Sequence, residues 1–294
     1  MTCSIRPLAF PSRIIGALLL VLLAGCSAVR IGYNNAPAIT YWWLDSYIDF
    51  DTPQAQPVRA SLDALHAWHR KNELPLYAET LHKLQTLAPL DVTPAQICAV
   101  WDEVQAHTQR LGDAAAAGIS AFTPGVRREQ LRHLAVQFDK RNEKWREEWM
   151  DAAPAALEKR RLKQAVERAE MFYDRLEDAQ LAILRERIAR SSFDAHLTYR
   201  EILRRQADIL QVLTEHSLGG ATRGAAVQTE VGALLERLRR SPDPVYRAQQ
   251  EKMTIESCAT IAALHNSTSR AQRESLAQRL KGYEDDLRAL QSQP

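Results

Sequence analysis

The feature that most limits the fold of this chain is a run of apolar residues at helical spacing that recurs from residue 52 onward. Leu134 and Phe138, for example, lie four positions apart, as residues on one face of an α-helix do. Polar caps and prolines separate these stretches, with Thr52-Pro53 opening one and Pro124 another. Only 11 of 294 residues are glycine, and β-branched clusters are scarce. The sequence therefore predicts an all-α fold.

The caps and the apolar periodicity predict roughly eight to ten helices. They cover residues 52–72, a short stretch after 75, 93–117, a stretch from 124, 154–188 with a break near Leu176, 193–216, 222–240, 245–265 and 269–290. Because the connections are short, we expect antiparallel neighbours in a multi-helix bundle. The aromatic lead segment before residue 52 is predicted to be irregular.

The amino terminus has the three parts of a secretory signal. Arg6 and Arg13 provide positive charge, and residues 14–23 form an apolar stretch too short to span a bilayer core of about 30 Å. The sequence Leu23-Ala24-Gly25-Cys26 then resembles the lipobox of bacterial lipoproteins. The resemblance implies cleavage after residue 25 and acylation of Cys26, the predicted lipidation site. Three acyl chains would exceed the two signals that stable anchoring requires.

Ser27 follows the predicted lipidated cysteine. In the sorting rule of enteric bacteria, aspartate at this position retains a lipoprotein at the inner membrane, and most other residues release it outward. By that resemblance, the expected location is the periplasmic face of the outer membrane, with the lipid as the contact to the membrane.

The charge of the mature chain excludes one class of partner. Removing residues 1–25 takes Arg6 and Arg13 from the 38 basic residues and leaves 36, which equals the 36 acidic residues. A neutral chain with interleaved charges lacks the basic footprint of a nucleic-acid-binding protein. The cluster Lys159-Arg160-Arg161 has acidic neighbours and is predicted to form a solvated helix face.

Two cysteines remain once Cys3 and Cys26 are set aside. Cys98 and Cys258 would form an even pair in an oxidising compartment, which favours a disulfide. The alternative is a pair of free thiols buried on apolar helix faces.

We identify no catalytic residues, no cofactor site and no metal site. His66 and His69 lie one helical turn apart, but zinc needs three or four ligands, and Glu73 completes no recognised pattern. Solvated or stacked histidines are the better interpretation. Glycine-rich phosphate loops and G-x-S-x-G elbows do not occur in the sequence.

The lead segment contains five aromatic residues within ten positions, only about 15 residues after the predicted anchor. These binding candidates are Tyr41, Trp42, Trp43, Tyr47 and Phe50. One interpretation is a segment packed onto the helical body. The other is an element that contacts the membrane interface or a protein partner, since tryptophan and tyrosine favour both settings.

A weak internal similarity links three predicted helix starts, each with an Ala-Gln pair that ends at Gln96, Gln180 or Gln272. Glutamine at the third helical position satisfies free amides, so three independent helix starts explain it. Alternatively, the pattern resembles the LTxxQ motif of Spy-type periplasmic chaperones, although Leu-Thr is absent from every copy.

A broader resemblance rests on blocks spread over the mature chain. They are the lipobox, Gly32-Tyr33-Asn34, Tyr41-Trp42-Trp43-Leu44-Asp45, Asp49-Phe50, Trp68-His69-Arg70, Leu74-Pro75, Tyr77, Gln272-Arg273 and Leu280-Lys281-Gly282-Tyr283. Together they resemble a family of proteobacterial outer-membrane lipoproteins, which implies an all-helical body and no established activity.

These observations divide the chain into a signal peptide (1–25), a lipid anchor with the aromatic lead (26–51) and an all-helical domain (52–294). We expect a lipid-anchored, non-enzymatic envelope protein that binds another protein through its helical surface. A Spy-like chaperone and a cryptic hydrolase are the alternatives.

Overall fold

The computed structural model describes residues 28–218 and 224–293, and Cys26 lies outside them. Within these ranges the chain forms twelve α-helices, one short 3-10 helix at Thr123–Gly125, and no strand. The helices are α1 (Ala28–Asn34), α2 (Ala36–Ile48), α3 (Thr52–Asn72), α4 (Leu74–Leu87), α5 (Pro94–Phe122), α6 (Arg128–Trp149), α7 (Pro154–Tyr173), α8 (Asp178–Ala189), α9 (Ala195–Leu218), α10 (Ala225–Arg239), α11 (Pro244–Asn266) and α12 (Arg270–Gln291). The predicted all-α class is confirmed.

The prediction of an irregular lead segment is wrong, because residues 28–48 are almost entirely helical. Pro37 lies in the first turn of α2, where its fixed backbone angle suits a helix start. Tyr41, Leu44 and Ile48 then recur at helical spacing on the face that turns toward the body, and Tyr41 is buried. Aromatic residues are mediocre helix formers, but packing of this face overrides that preference. The helix ends at Asp49, which adopts a left-handed conformation with φ of 58°.

Paired glutamines join the starts of α3 and α6. The amide nitrogen of Gln54 donates to Oε1 of Gln130 at 3.1 Å, and the amide nitrogen of Gln130 donates back at 2.6 Å. Each amide also donates across to the backbone carbonyl two residues before the other helix's cap, Gln54 to Gly125 and Gln130 to Asp49. Each Oε1 accepts the backbone N–H of its own cap. Both side chains are therefore fully hydrogen-bonded.

The same arrangement joins the starts of α8 and α12. Gln180 and Gln272 exchange hydrogen bonds of 2.7 and 3.0 Å, and their amides also donate to the carbonyls of Ser267 and Arg175. All three helix starts with the Ala-Gln similarity have capping boxes. Two of them are nevertheless not independent, since Gln180 and Gln272 bind each other.

A disulfide connects the first turn of α5 to the middle of α11. It joins Cys98 and Cys258, whose Cα atoms are 5.5 Å apart across a sequence separation of 160 residues. Helix α4 packs along α12, and α5 packs on α3, α10 and α11. The amino-terminal helices also belong to this assembly, since α2 packs on α3 and α6.

Buried polar residues stabilise the junction between α3 and α4. Glu73 is 1% exposed and accepts hydrogen bonds from His107 Nδ1 at 2.8 Å and from Arg110 Nε at 2.7 Å. Burial raises the pKa of the Glu73 carboxyl, but the hydrogen bonds from Arg110 and His107 outweigh it and leave this pKa below its usual value.

The two histidines of α3 are stacked among aromatic rings. The ring centroid of His66 lies 4.5 Å from that of Tyr33, and His69 hydrogen-bonds the hydroxyls of Tyr33 and Tyr77. Burial lowers the pKa of both imidazoles. Among the residues that the structure describes, no group of three or more His, Cys, Asp or Glu side chains is arranged to hold a metal ion.

Candidate functional site

The five aromatic binding candidates differ in how far the described part of the chain covers them. Tyr41 is buried beneath the Arg59 guanidinium and stacks on Phe50, and Phe50 meets Phe122 edge-on at 5.2 Å. Tyr47 lies 6.4 Å from Phe138 and accepts a hydrogen bond from Arg141. These three rings attach α2 to the helical body.

Trp42 and Trp43 are the most exposed of the five, although the ring centroid of Trp43 lies 5.0 Å from that of Tyr47. Trp42 is 74% exposed, Trp43 is 50% exposed, and Ile39 one turn earlier is 55% exposed. We call Ile39, Trp42, Trp43 and the exposed Ser46, which lies one turn after the two tryptophans, the outward face of α2. A helix that is apolar on all sides is normally buried all round. Helix α2 has this composition, but only its inner side is covered by the described part of the chain.

A second feature is an apolar groove of about 710 Å³, lined by the ends of α4 and α5 and by α6, α7, α8, α11 and α12. Its apolar lining residues include Leu84, Leu87, Ile97, Ala165, Ala169, Phe172, Leu184, Ile188, Met253, Ile261, Leu264, Leu276 and Leu280. Tyr173, Leu184 and Leu264 also belong to the main buried core cluster, so the bottom of the groove is the core itself. The volume lies within the range of small-molecule sites, about 300–1,000 Å³.

The lining of the groove includes a Tyr–His pair that is buried. The Tyr173 hydroxyl lies 2.9 Å from His265 Nδ1, and His265 Nε2 lies 2.8 Å from the Leu90 carbonyl oxygen. A carbonyl only accepts, so Nε2 carries the proton and Nδ1 accepts from the tyrosine hydroxyl. Burial lowers the pKa of His265 and raises the pKa of Tyr173 to about 12. Both side chains are occupied by each other and by the backbone, which is a structural arrangement.

Three arginines border the groove: Arg161 and Arg168 on α7, and Arg187 on α8. Within the described ranges, none of them has a carboxylate oxygen within 4 Å, whereas most other arginines here are in ion pairs. Arg161 is half-buried, its guanidinium 5.0 Å from the Phe193 ring centroid, and burial lowers its pKa.

The prediction of a solvated face at Lys159-Arg160-Arg161 is therefore wrong for one residue. Arg160 fits it, since it pairs with Glu148 at 2.9 Å near the surface. Arg161 instead lines the groove, because adjacent residues of a helix point in directions about 100° apart and Arg161 falls on the buried side of α7. The sequence indicates this only through spacing, since Arg161 is followed at intervals of three or four by Ala165, Ala169 and Phe172.

None of the helices in the described part of the chain is long and apolar enough to cross a membrane. The structure thus defines an all-α protein with one uncovered aromatic face and one arginine-bordered apolar groove. The chain belongs to DUF6279, a family of unknown function, whose model matches residues 46–235. This match begins just after the Tyr41–Asp45 block and ends before α11 and α12.

No curated protein matches the chain significantly. A search of solved structures also found no significant match.

Proposed function

We propose that this chain is a lipid-anchored, non-enzymatic protein of the bacterial envelope that binds another protein through the outward face of α2. The observation that carries this proposal is the exposure of Trp42 and Trp43 on a helix whose other side is firmly packed. Tryptophan is enriched among the residues that dominate protein–protein binding energy. The helix is a rigid support for them, since Tyr41, Tyr47 and Phe50 hold it against the body.

The proposed anchor places this face near the outer membrane. Residue 28 starts α1 only two positions after Cys26, so α1 and α2 would follow the lipid almost directly. Metabolic labelling with a palmitate analogue is expected to mark the wild-type chain and not Cys26→Ala. Labelling that persists in Cys26→Ala would remove the anchor from the proposal.

The partner itself is tested by crosslinking in cells. A photoreactive amino acid replaces Ser46, which is exposed on the same face as both tryptophans. We expect one recurrent captured protein, and we expect Trp42→Ala with Trp43→Ala to reduce its capture at least about tenfold, because such tryptophans contribute about 2 kcal/mol or more each.

The matched control removes exposed apolar side chains elsewhere. Val245 and Ile255 on α11 are 60% and 64% exposed, and the double variant Val245→Ala with Ile255→Ala is expected to leave capture unchanged. Capture that is equally weakened by both double variants, or that survives loss of both tryptophans, would contradict binding through α2. Crosslinking to lipid alone would identify the face as a membrane contact.

A Spy-like chaperone is the second candidate, favoured by the concave apolar groove. The groove is open to solvent and its bottom is apolar, as a surface for unfolded segments would be. A broad set of unfolded envelope proteins captured from groove positions would support it. The cryptic hydrolase receives no such support from His265, whose two nitrogens are both occupied.

A further inference from the structure

We infer that the groove between α7 and α11 binds a single-chain amphiphile, a long acyl chain that carries a carboxylate or phosphate head. The groove combines an apolar interior with three arginines that have no carboxylate oxygen within 4 Å among the described residues. This site is separate from the outward face of α2 and does not depend on the proposed protein partner.

Two residues of α7 that line the groove, Arg161 and Tyr173, show how far it extends along this helix. Arg161 donates to the carbonyl of Ile188 at 3.4 Å, and Ile188 is the residue after Arg187. Tyr173 lies twelve residues after Arg161. At 1.5 Å per residue these two positions are about 18 Å apart along the helix, a length suited to an extended long-chain acyl group.

The three arginines that border the groove would bind an anionic head. Guanidinium groups bind carboxylate and phosphate oxygens through two parallel hydrogen bonds. Arg161 is half-buried against Phe193, so part of its hydration is already lost and its position is already fixed. The one acidic side chain that lines the groove, Glu256, accepts from the Ser192 N–H and hydroxyl at 2.9 and 3.0 Å. The mouth therefore has net positive charge, whereas the mature chain as a whole would be neutral.

The apolar lining would hold the acyl tail. It includes Phe172, Leu264, Leu276 and Leu280. The polar groups beside them, on Tyr173 and His265, are already hydrogen-bonded to each other. Each methylene that is buried against this lining would favour binding. A polyanion without an acyl tail would not contact this apolar lining, and an uncharged alkane would not pair with the arginines.

The test uses photoreactive palmitate, with a diazirine in mid-chain, crosslinked to the purified full chain and mapped by mass spectrometry. We expect labelled peptides from α7, α11 or α12. Unlabelled palmitate and a lysophosphatidate are both expected to compete, and the stronger competitor identifies the head. Hexadecanol, which has the same tail without the charge, is expected to compete at least about fivefold less well.

Two variants separate the charge from the cavity. Arg161→Gln with Arg187→Gln is expected to weaken labelling at least about fivefold and to remove the preference for palmitate over hexadecanol. Ile261→Trp starts from a groove residue that is 48% exposed, so it fills the groove with little disturbance of the core, and it should reduce labelling by photoreactive palmitate. The matched control is Arg270→Gln, whose side chain is 94% exposed outside the groove.

Several results would overturn the inference. One is equal competition by palmitate and hexadecanol in the wild type. Another is labelling confined to α2 or spread over the surface, and a third is labelling that the arginine variants do not change. Displacement of the probe by a reduced, unfolded polypeptide better than by palmitate would assign the groove to chaperone clients instead.

Discussion

Removing the charge of Glu73 tests a buried ion pair of the fold. We expect Glu73→Gln to lower the free energy of unfolding by about 3 kcal/mol. The carboxylate is 1% exposed and accepts from both His107 and Arg110. The glutamine of the variant keeps one acceptor oxygen for these two donors, and Arg110 loses its counter-charge.

The magnitude follows from the exposure of each partner. Breaking a buried pair by removing one member costs about 3–5 kcal/mol, because an uncompensated charge stays behind. The side chain of Arg110 is 41% exposed, so water partly solvates the charge that remains. The His107 side chain is 9% exposed and cannot be solvated in this way. Solvation of Arg110 therefore places the expected loss at the low end of the range, and the burial of His107 keeps it within that range.

Urea unfolding followed by far-ultraviolet circular dichroism measures this loss, with the slope of the transition as a check that the two-state treatment holds. Arg110→Gln and the double variant complete a cycle in which we expect a coupling of at least about 1 kcal/mol. Arg132→Gln is the matched control, since it breaks a pair with Glu129 whose side chains are 69% and 67% exposed, and should change stability by less than about 0.5 kcal/mol. A loss below about 1 kcal/mol for Glu73→Gln, or additive single variants, would refute the reasoning.

Two further predictions concern the disulfide and the buried histidine. Mass mapping without reduction should recover a Cys98–Cys258 peptide, and two alkylatable thiols in the unreduced, unfolded chain would reject the bridge. The free energy of unfolding of the double variant Cys98→Ser with Cys258→Ser should be lower by up to about 5 kcal/mol, because the bridge closes a loop of about 160 residues. Burial lowers the pKa of His265, so its contribution to stability is complete above pH of about 6.5 and is lost as the pH falls toward its folded-state pKa. His265→Gln, whose amide can still donate to Leu90, should therefore show a smaller loss of stability than wild type between pH 7 and 5; identical slopes would count against this assignment.

The helices could be predicted because their starts are local signals. Thr93 and Ser269 each accept the N–H of a glutamine three positions on, and both residues of each box are visible in the sequence. The predicted break near Leu176 is also confirmed, with α7 ending at Tyr173 and α8 beginning at Asp178. The antiparallel arrangement of the bundle stays a prediction.

The pairing of helix starts could not be predicted, because it joins residues far apart in the chain. Gln54 and Gln130 are separated by 76 positions, and Gln180 and Gln272 by 92. A capping glutamine looks the same in sequence whether its amide faces water or a second glutamine. Glu73 is a similar case, since its side chain hydrogen-bonds His107 on α5, which is 34 positions away, and not the histidines near it in sequence.

The groove escaped prediction for a related reason: its lining comes from seven helices and two connections, and no single segment carries the pattern. By contrast, the aromatic candidates were found, but without a helix the sequence could not show that Tyr41, Tyr47 and Phe50 are covered while Trp42 and Trp43 are exposed. An irregular segment gives no fixed relation between neighbouring side chains, whereas a helix turns adjacent residues about 100° apart. The error about the lead segment therefore hid which of its aromatic residues are available for binding.

The two proposed binding sites lie on different parts of the helical assembly, which makes their tests independent. The outward face belongs to α2, which is supported by α3 and α6, whereas the groove is formed mainly by α7, α8, α11 and α12. Substitutions at Trp42 and Trp43 remove exposed side chains and leave the groove lining unchanged, and Arg161→Gln with Arg187→Gln leaves α2 unchanged. If both double variants abolished both partner capture and palmitate labelling, the two sites would have to communicate through α6, whose Trp149 lines the groove while its Phe138 contacts Tyr47. Loss of one function without the other would instead assign each site its own ligand.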